Sequence, residues 1–299
     1  MNISTVSSDR RYVSPLQVAR ALGVSETSVK RWVDEGKLPA QRTEGGHRRI
    51  LVSDVLAYVS QRNWPHVDLN LLVGSTRSPA VVEVSPLVES FHDSLIQDDS
   101  ERARMLLLDA QQNGLSMARL ADEVISPVMA RIGQGWAQGN LDVYHEHRAT
   151  QVCLSALLAV KMRQENGPEL SPEKPLAIGG SPEGDHYLLP SLLIEMGLRE
   201  LGWRVVNIGP NTPFGSFLRI LDERKPQLLW LSCSHVADPE QFVEGFHRLY
   251  ENVVRHGVAV SVGGRALTSD LRERLTFTHH GDRMSHLAAF AQQLASHRR

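Results

Sequence analysis

The chain has 299 residues, 41% hydrophobic and 22% charged, an ordinary balance for a globular protein and a length that predicts two or three domains. It has no run of 18 apolar residues, no apolar core near its N-terminus, and only Cys153 and Cys233, far apart. These features argue against a spanning helix, a secretion signal and a disulfide framework, and suit a reducing cytoplasm. The net charge of −2 conceals an asymmetry: residues 1–63 hold 10 Lys and Arg against 6 Asp and Glu, the remainder 22 against 28.

Ser14 is a good N-cap, followed by Pro15 at the first helical position and by Leu16, Val18, Ala19 and Leu22 as an apolar face, with Gly23 as the stop. Ser25 caps a second helix to about Glu35. Val29, Trp32 and Val33 are expected inside, and Glu26, Thr27, Ser28, Lys30 and Arg31 outside. Gly45-Gly46 permits a hairpin turn that leaves His47, Arg48 and Arg49 on the return strand, and Ser53 begins a third helix through Val59. Helix, tight turn, helix and basic hairpin are the parts that place one helix in a DNA major groove and a wing on its backbone. Lys30, Arg31, Arg42, Arg48 and Arg49 are expected to neutralise phosphates, and Thr27 and Ser28 to reach base edges or phosphate. The alternative is a charged protein-binding module of the same shape. Double-stranded operator DNA is the expected partner, bound by a dimer or tetramer.

Residues 64–85 lack a sustained period and read as a linker. From 86 to 166 the pattern is helical. Stripes of Leu87, Phe91 and Leu95, then Met105, Leu106, Leu108 and Leu115, Val124, Val128 and Ile132, and Val152 to Val160 predict a bundle. After residue 167 the period changes. Short apolar strands at 176–180, 204–209, 228–233 and 258–264 alternate with helices at 188–201, 214–221, 242–254 and 284–297. The fold class is multidomain α and α/β: a winged helix-turn-helix (1–63), a helical bundle and a doubly wound parallel sheet (167–299). Ligands of such sheets bind at the carboxyl ends of strands, here the loops 181–187, 209–213, 232–238 and 263–266. His145, Glu146 and His147 are adjacent on a helix and point apart, which disfavours a metal site. His279-His280 is expected near a solvated turn. No nucleotide-binding or hydrolase motif occurs, so a sensor is expected rather than an enzyme.

Residues 12–63, through the runs Gly23–Pro39 and Gly45–Arg49, resemble the MerR-type winged helix-turn-helix. The order of winged helix, bundle and doubly wound domain resembles the CarH/LitR light-dependent repressors. The resemblance implies adenosylcobalamin between bundle and sheet, with light breaking its cobalt–carbon bond and dissolving a DNA-bound oligomer. Trp136, nine residues, then Glu146-His147 matches the family's upper-face pattern. Gly209–Pro213 matches downstream. Ser232-Cys233-Ser234 and Gly263-Gly264 fall where the family lays the nucleotide tail.

Two positions depart from the family. Counting back from Gly209 puts Asp185 at the acidic position of the cobalt-ligand loop, Tyr187 at the ligand and Pro190 at a glycine; His186 is one residue early and ligates cobalt only if the loop rearranges. Ala137 stands where the characterised light sensor has a second cobalt-binding His. Three readings stay open: cobalamin without a protein ligand or with a rearranged His186; haem or a bilin in the same cavity; and a body without a small ligand.

Overall fold

Ser14 and Gln17 open the first helix by exchanging caps. The Gln17 N–H donates to Ser14 Oγ at 3.3 Å, and the Ser14 N–H donates to Gln17 Oε1 at 2.8 Å. The computed structural model describes residues 12–42, 48–60, 62, 82–165 and 170–296, divided into two units at Ser78/Pro79. In the first unit, α1 (Pro15–Leu22) and α2 (Glu26–Asp34) pack with α3 (Val52–Ser60). The strands β1 (Tyr12–Val13), β2 (Gln41–Arg42) and β3 (Arg48–Leu51) form an antiparallel sheet in the order β1-β3-β2. Val13, Val18, Val29, Leu38, Ile50 and Val55 make the core. Leu16 is exposed, so the buried face of α1 is Val18, Ala19, Ala21 and Leu22. Trp32 lies 5.3 Å from the Tyr58 ring and packs against this core.

The second unit begins with α4 (Val84–Ile96) and α5 (Ser100–Gln112). A continuous run follows: a short α6 (Met117–Arg119), a π-helical stretch (Leu120–Ile125) and α7 (Ser126–Ala137). The long α8 (Val143–Glu165) completes the bundle. Met105 and Leu158 point to solvent; the buried stripes are Ala103, Leu107 and Ala110 on α5 and Val152, Ala156, Leu157 and Val160 on α8.

The parallel sheet comprises β4 (Leu176–Gly180), β5 (Arg204–Asn207), β6 (Leu228–Ser232), β7 (Ala259–Gly263) and β8 (His279–His280), in the order β5-β4-β6-β7-β8. The helices between and after the strands are α9 (Leu189–Glu200), α10 (Phe214–Arg224), α11 (Pro239–Arg255), a short α12 (Ser269–Glu273) and α13 (Met284–Ser296). Strand order reverses between β4 and β6, the switch point beside which parallel sheets of this kind generally bind ligands.

The strand β8 corrects the expectation of a solvated His279-His280 turn. His279 pairs with Ser261 in parallel register, its Nδ1 lies 2.9 Å from Ser261 Oγ, and its ring stacks on Phe290 at 4.5 Å. Burial, with His280 and His286 nearby, holds its pKa below the ordinary imidazole range.

One face of the sheet shares a continuous apolar core with the bundle, running from Phe91 and Leu107 through Met196 to Trp203 and Trp230. The other face packs under α10 and α11 around Phe217, Leu229, Phe246 and Val260. Within this unit, carboxylates cap helices across the boundary between bundle and sheet in both directions. Asp122 accepts the N–H groups of Met284 (2.7 Å) and Ser285 (2.9 Å) at the start of α13; Glu200 accepts the Met117 N–H at 2.8 Å. Lys161 of α8 lies 2.8 Å from the buried Glu195 of α9. Asp122→Ala is therefore expected to cost about 1 kcal/mol and to lower the melting temperature of this unit by about 3 °C, read by thermal denaturation.

Candidate functional site

The described residues expected to face DNA lie on α2 and β3. Ser25 Oγ accepts the Ser28 N–H at 3.1 Å and lies 2.9 Å from Ser28 Oγ, so Ser28 belongs to the cap of α2. Thr27, Lys30 and Arg31 are exposed on one side of this helix, and Lys30 pairs with Glu26 at 2.9 Å. Such an exposed i, i+4 pair contributes little to stability.

Arg48 and Arg49 differ. Arg49 is exposed, whereas the Arg48 guanidinium makes two hydrogen bonds to Asp34 at 2.7 and 2.9 Å and ties the wing strand to the end of α2. His47 and the side chain of Arg42 lie outside the described residues. Arg49→Ala is expected to lower the salt slope of DNA binding by about one with unchanged stability. Arg48→Ala is expected to lower the melting temperature of the first unit as well. Binding isotherms at several salt concentrations, paired with melting curves, separate the two.

In the second unit, Trp136 ends α7 and Glu146-His147 lies in the first turn of α8, so a tight turn at 138–142 holds them at the same end of the bundle. Trp203 and Trp230 are 1% exposed, but Trp136 is 50% exposed. It therefore does not serve as core. Glu146 Oε1 accepts from Thr150 Oγ1 at 3.2 Å, and its Oε2 lies 3.7 Å from His147 Nε2. His145 stacks on Tyr144 instead, 3.9 Å between centroids.

The loop after β4 is built around Asp185, which has no exposed surface. Its Oδ1 accepts the Tyr187 N–H at 3.0 Å, and its Oδ2 accepts the N–H groups of Ser234 and His235, the latter at 3.1 Å. The Asp185 N–H turns back to Pro182 O, and Asn211 N–H donates to Asp185 O at 2.7 Å. His186, Tyr187 and Leu188 are exposed. The Arg265 guanidinium covers the Tyr187 ring at 4.7 Å and donates to Ser234 O. Sequence reasoning missed Arg265, and no motif flagged it.

Ser232 is buried, and Cys233 is fully buried, which pushes its thiol pKa up. A Cβ on Gly264 (φ +115°) would strike the Cys233 backbone, and one on Gly263 would strike the Gly281 carbonyl. The glycine pair thus has a packing reason, the close approach of the end of β7 to the segments after β6 and β8.

These residues divide in their fit to a corrinoid. Trp136, Tyr187 and Leu188 offer exposed apolar and aromatic surface suited to the face of a flat macrocycle. The interior beside Ser232 and Gly263 is filled by the protein itself.

Comparison with known proteins gives two family matches. Residues 12–63 match the family "Helix-turn-helix domain" and residues 87–161 the family "B12 binding domain". The chain is 26% identical over 234 residues to the HTH-type transcriptional repressor CarA of Myxococcus xanthus, covering 75% of this chain and 77% of that one. It is 23% identical over 269 residues to the repressor CarH of the same organism, covering 84% and 88%. The solved monomethylamine corrinoid protein of Methanosarcina barkeri superposes with a TM-score of 0.57 at 15% identity, covering 70% of this chain and 99% of that one, a likeness of fold.

The chain is a DNA-binding transcription regulator in which a helix-turn-helix domain is joined to a B12-binding body, and cobalamin is its cofactor class. It is a regulator similar to CarA and CarH. Among the described residues no helix is long and apolar enough to cross a membrane.

Asp185→Ala removes a buried carboxylate from three backbone donors and is expected to cost about 3 kcal/mol, whereas exposed His186→Ala should leave stability unchanged. Urea denaturation of the two variants checks the contrast.

Proposed function

We propose that the protein is a cytoplasmic, non-enzymatic repressor that binds operator DNA as a dimer or tetramer, and that cobalamin on the second unit sets the oligomeric state. The observation that carries the reading is Trp136, half exposed at the bundle end that also carries Glu146-His147. An indole held open to solvent at a cost in apolar exposure supports a role in covering a ligand. In this reading residues 1–63, 64–85, 86–166 and 167–299 are the DNA-binding domain, linker, bundle and sheet domain.

Thr27, Ser28, Lys30, Arg31, Arg42, His47 and Arg49 meet DNA, with Arg48 shared between phosphate and Asp34. Trp136 covers the macrocycle, Glu146 accepts from polar groups of the upper ligand, and Tyr187 and Leu188 lie against the opposite face. Adenosylcobalamin supplies, when bound, a light-breakable cobalt–carbon bond. Ala137 has no nitrogen with which to trap the cobalt afterwards. Differential stability of two oligomeric states couples ligand to DNA, since a ligand shifts an equilibrium only by its differential affinity.

A second reading, haem or a bilin in the same place, is favoured by Tyr187 and His186 standing exposed side by side, an oxygen and a nitrogen suited to iron or to pyrrole and propionate groups.

The test is the absorption spectrum and the size-exclusion profile of the full chain after incubation with adenosylcobalamin, haem and biliverdin separately, in darkness and after illumination. A retained cobalamin spectrum, with an oligomer that changes in light and a Trp136→Ala variant that retains less, is expected. Retention of haem or bilin alone moves the reading to the second ligand class. Retention of none sinks both.

A further inference from the structure

Free cobalamin carries its own dimethylbenzimidazole on the lower face of cobalt. A protein that displaces this base must supply two things: a replacement ligand, and a space for the displaced nucleotide tail. We propose that this sheet domain supplies neither, and that a bound cobalamin keeps its own base on cobalt. The proposal rests on the cofactor reading above.

The replacement ligand is missing because the loop is fixed. Tyr187 occupies the ligand position, its N–H bound to Asp185 and its ring under Arg265. The Tyr187 ring is held against a guanidinium, which ties it to its own loop rather than to a metal above it. His186 lies between Asp185 and Tyr187, both anchored. Moving it into register withdraws the Asp185 carboxylate from the amides of Tyr187, Ser234 and His235, which hold it without exposed surface. A buried charge stripped of its donors is strongly disfavoured.

The space is missing because side chains fill it. Trp230 lies two residues before Ser232 on the same strand, hence on the same face of the sheet. Its indole covers Gly179 so closely that no Cβ fits there, and its N–H donates to Ser191 Oγ at 3.3 Å. From Ser191 the bonds run on to Asn207 (3.4 Å), Glu195 (3.2 Å) and Lys161 (2.8 Å). The Met284 methyl fills the notch at Gly197 between α9 and α13. Cys233 and Gly281 close over Gly264 and Gly263. The polar groups on this face thus bond to one another.

The test uses the full chain, prepared with uniform nitrogen-15, loaded with cobalamin and reduced to the cobalt(II) state. In electron paramagnetic resonance, one axial nitrogen-14 splits each cobalt line into three and one nitrogen-15 into two. Triplets are expected, from the unlabelled base. Doublets would mean that a protein nitrogen, His186 first, has displaced the base. Loss of splitting would mean displacement without a protein nitrogen. Either overturns the proposal.

A second arm needs no corrin. Free 5,6-dimethylbenzimidazole is added to the parent and to Trp230→Ala, with Trp230→Leu as the milder variant should alanine not fold. The fragment is expected to raise the melting temperature of the variant by about 3 °C, as a ligand at roughly ten times its Kd does, and to leave the parent unmoved. An equal rise in the parent, or none in either variant, overturns the assignment of Trp230 as the filler. If cobalamin fails to bind at all while this arm gives the expected result, the cofactor reading falls and the closed sheet stands.

Discussion

Asp185 carries a carboxylate without exposed surface at the carboxyl edge of the sheet, and the geometry of the ligand-facing loops follows from how it is satisfied. A buried carboxylate is tolerated only if hydrogen-bond donors satisfy its oxygens. Here the donors are backbone amides of its own loop and of the loop after β6. Two crossover connections are thereby fixed to one point. Tyr187 is aimed by its own amide, Ser234 and His235 by theirs, and Arg265 bridges the two loops from above. Where the resemblance to the CarH/LitR repressors leads one to expect a metal ligand, this loop uses its acidic residue as an internal anchor.

The bundle and the sheet behave as one body. Asp122 and Glu200 cap helices across their boundary in opposite directions, and apolar packing continues from α4 to the sheet. Burial raises the Glu200 carboxyl pKa above its usual range, against the Met117 amide that lowers it, so the contact is partly dehydrated. A raised carboxyl pKa in the folded state means that this group favours folding at low pH, and that the contribution is lost as pH rises through its folded value. Wide separation of the two parts would break these caps and expose a shared core. A ligand acting on such a body changes its surface more readily than its hinge angle, which agrees with control through association.

The fold was legible because periodicity reports burial. Strands such as Leu228–Ser232, buried on both faces, read as continuous apolar runs, and the capping residues Ser14 and Ser25 stand where helices start. What was illegible lacked a period or had two explanations. A two-residue strand carries no alternation, so His279-His280 read as a turn. Met105 and Leu158 read as core because a bundle's stripes are counted from neighbours of equal hydropathy. Trp136 was singled out by resemblance to a family's pattern, and only the structure distinguishes it from the buried Trp230. Arg265 stood in no motif; it matters because a loop fold brings it over Tyr187.

The same ambiguity governs the glycines and the wing arginines, and the structure resolves each through its neighbours. A glycine marks a place where something comes close, but the sequence does not say whether that is a ligand or backbone. At Gly263 and Gly264 it is backbone, so the pair has a packing reason of its own. An arginine beside a wing marks positive charge, but not whether the charge is available. Arg48 meets a carboxylate of the helix it packs on, so its first task is to set the angle of the wing. Arg49, one residue on and facing solvent, carries a charge that an approaching phosphate meets directly. Side chains one residue apart on a strand face opposite ways, and here that alternation divides a paired charge from a solvent-facing one.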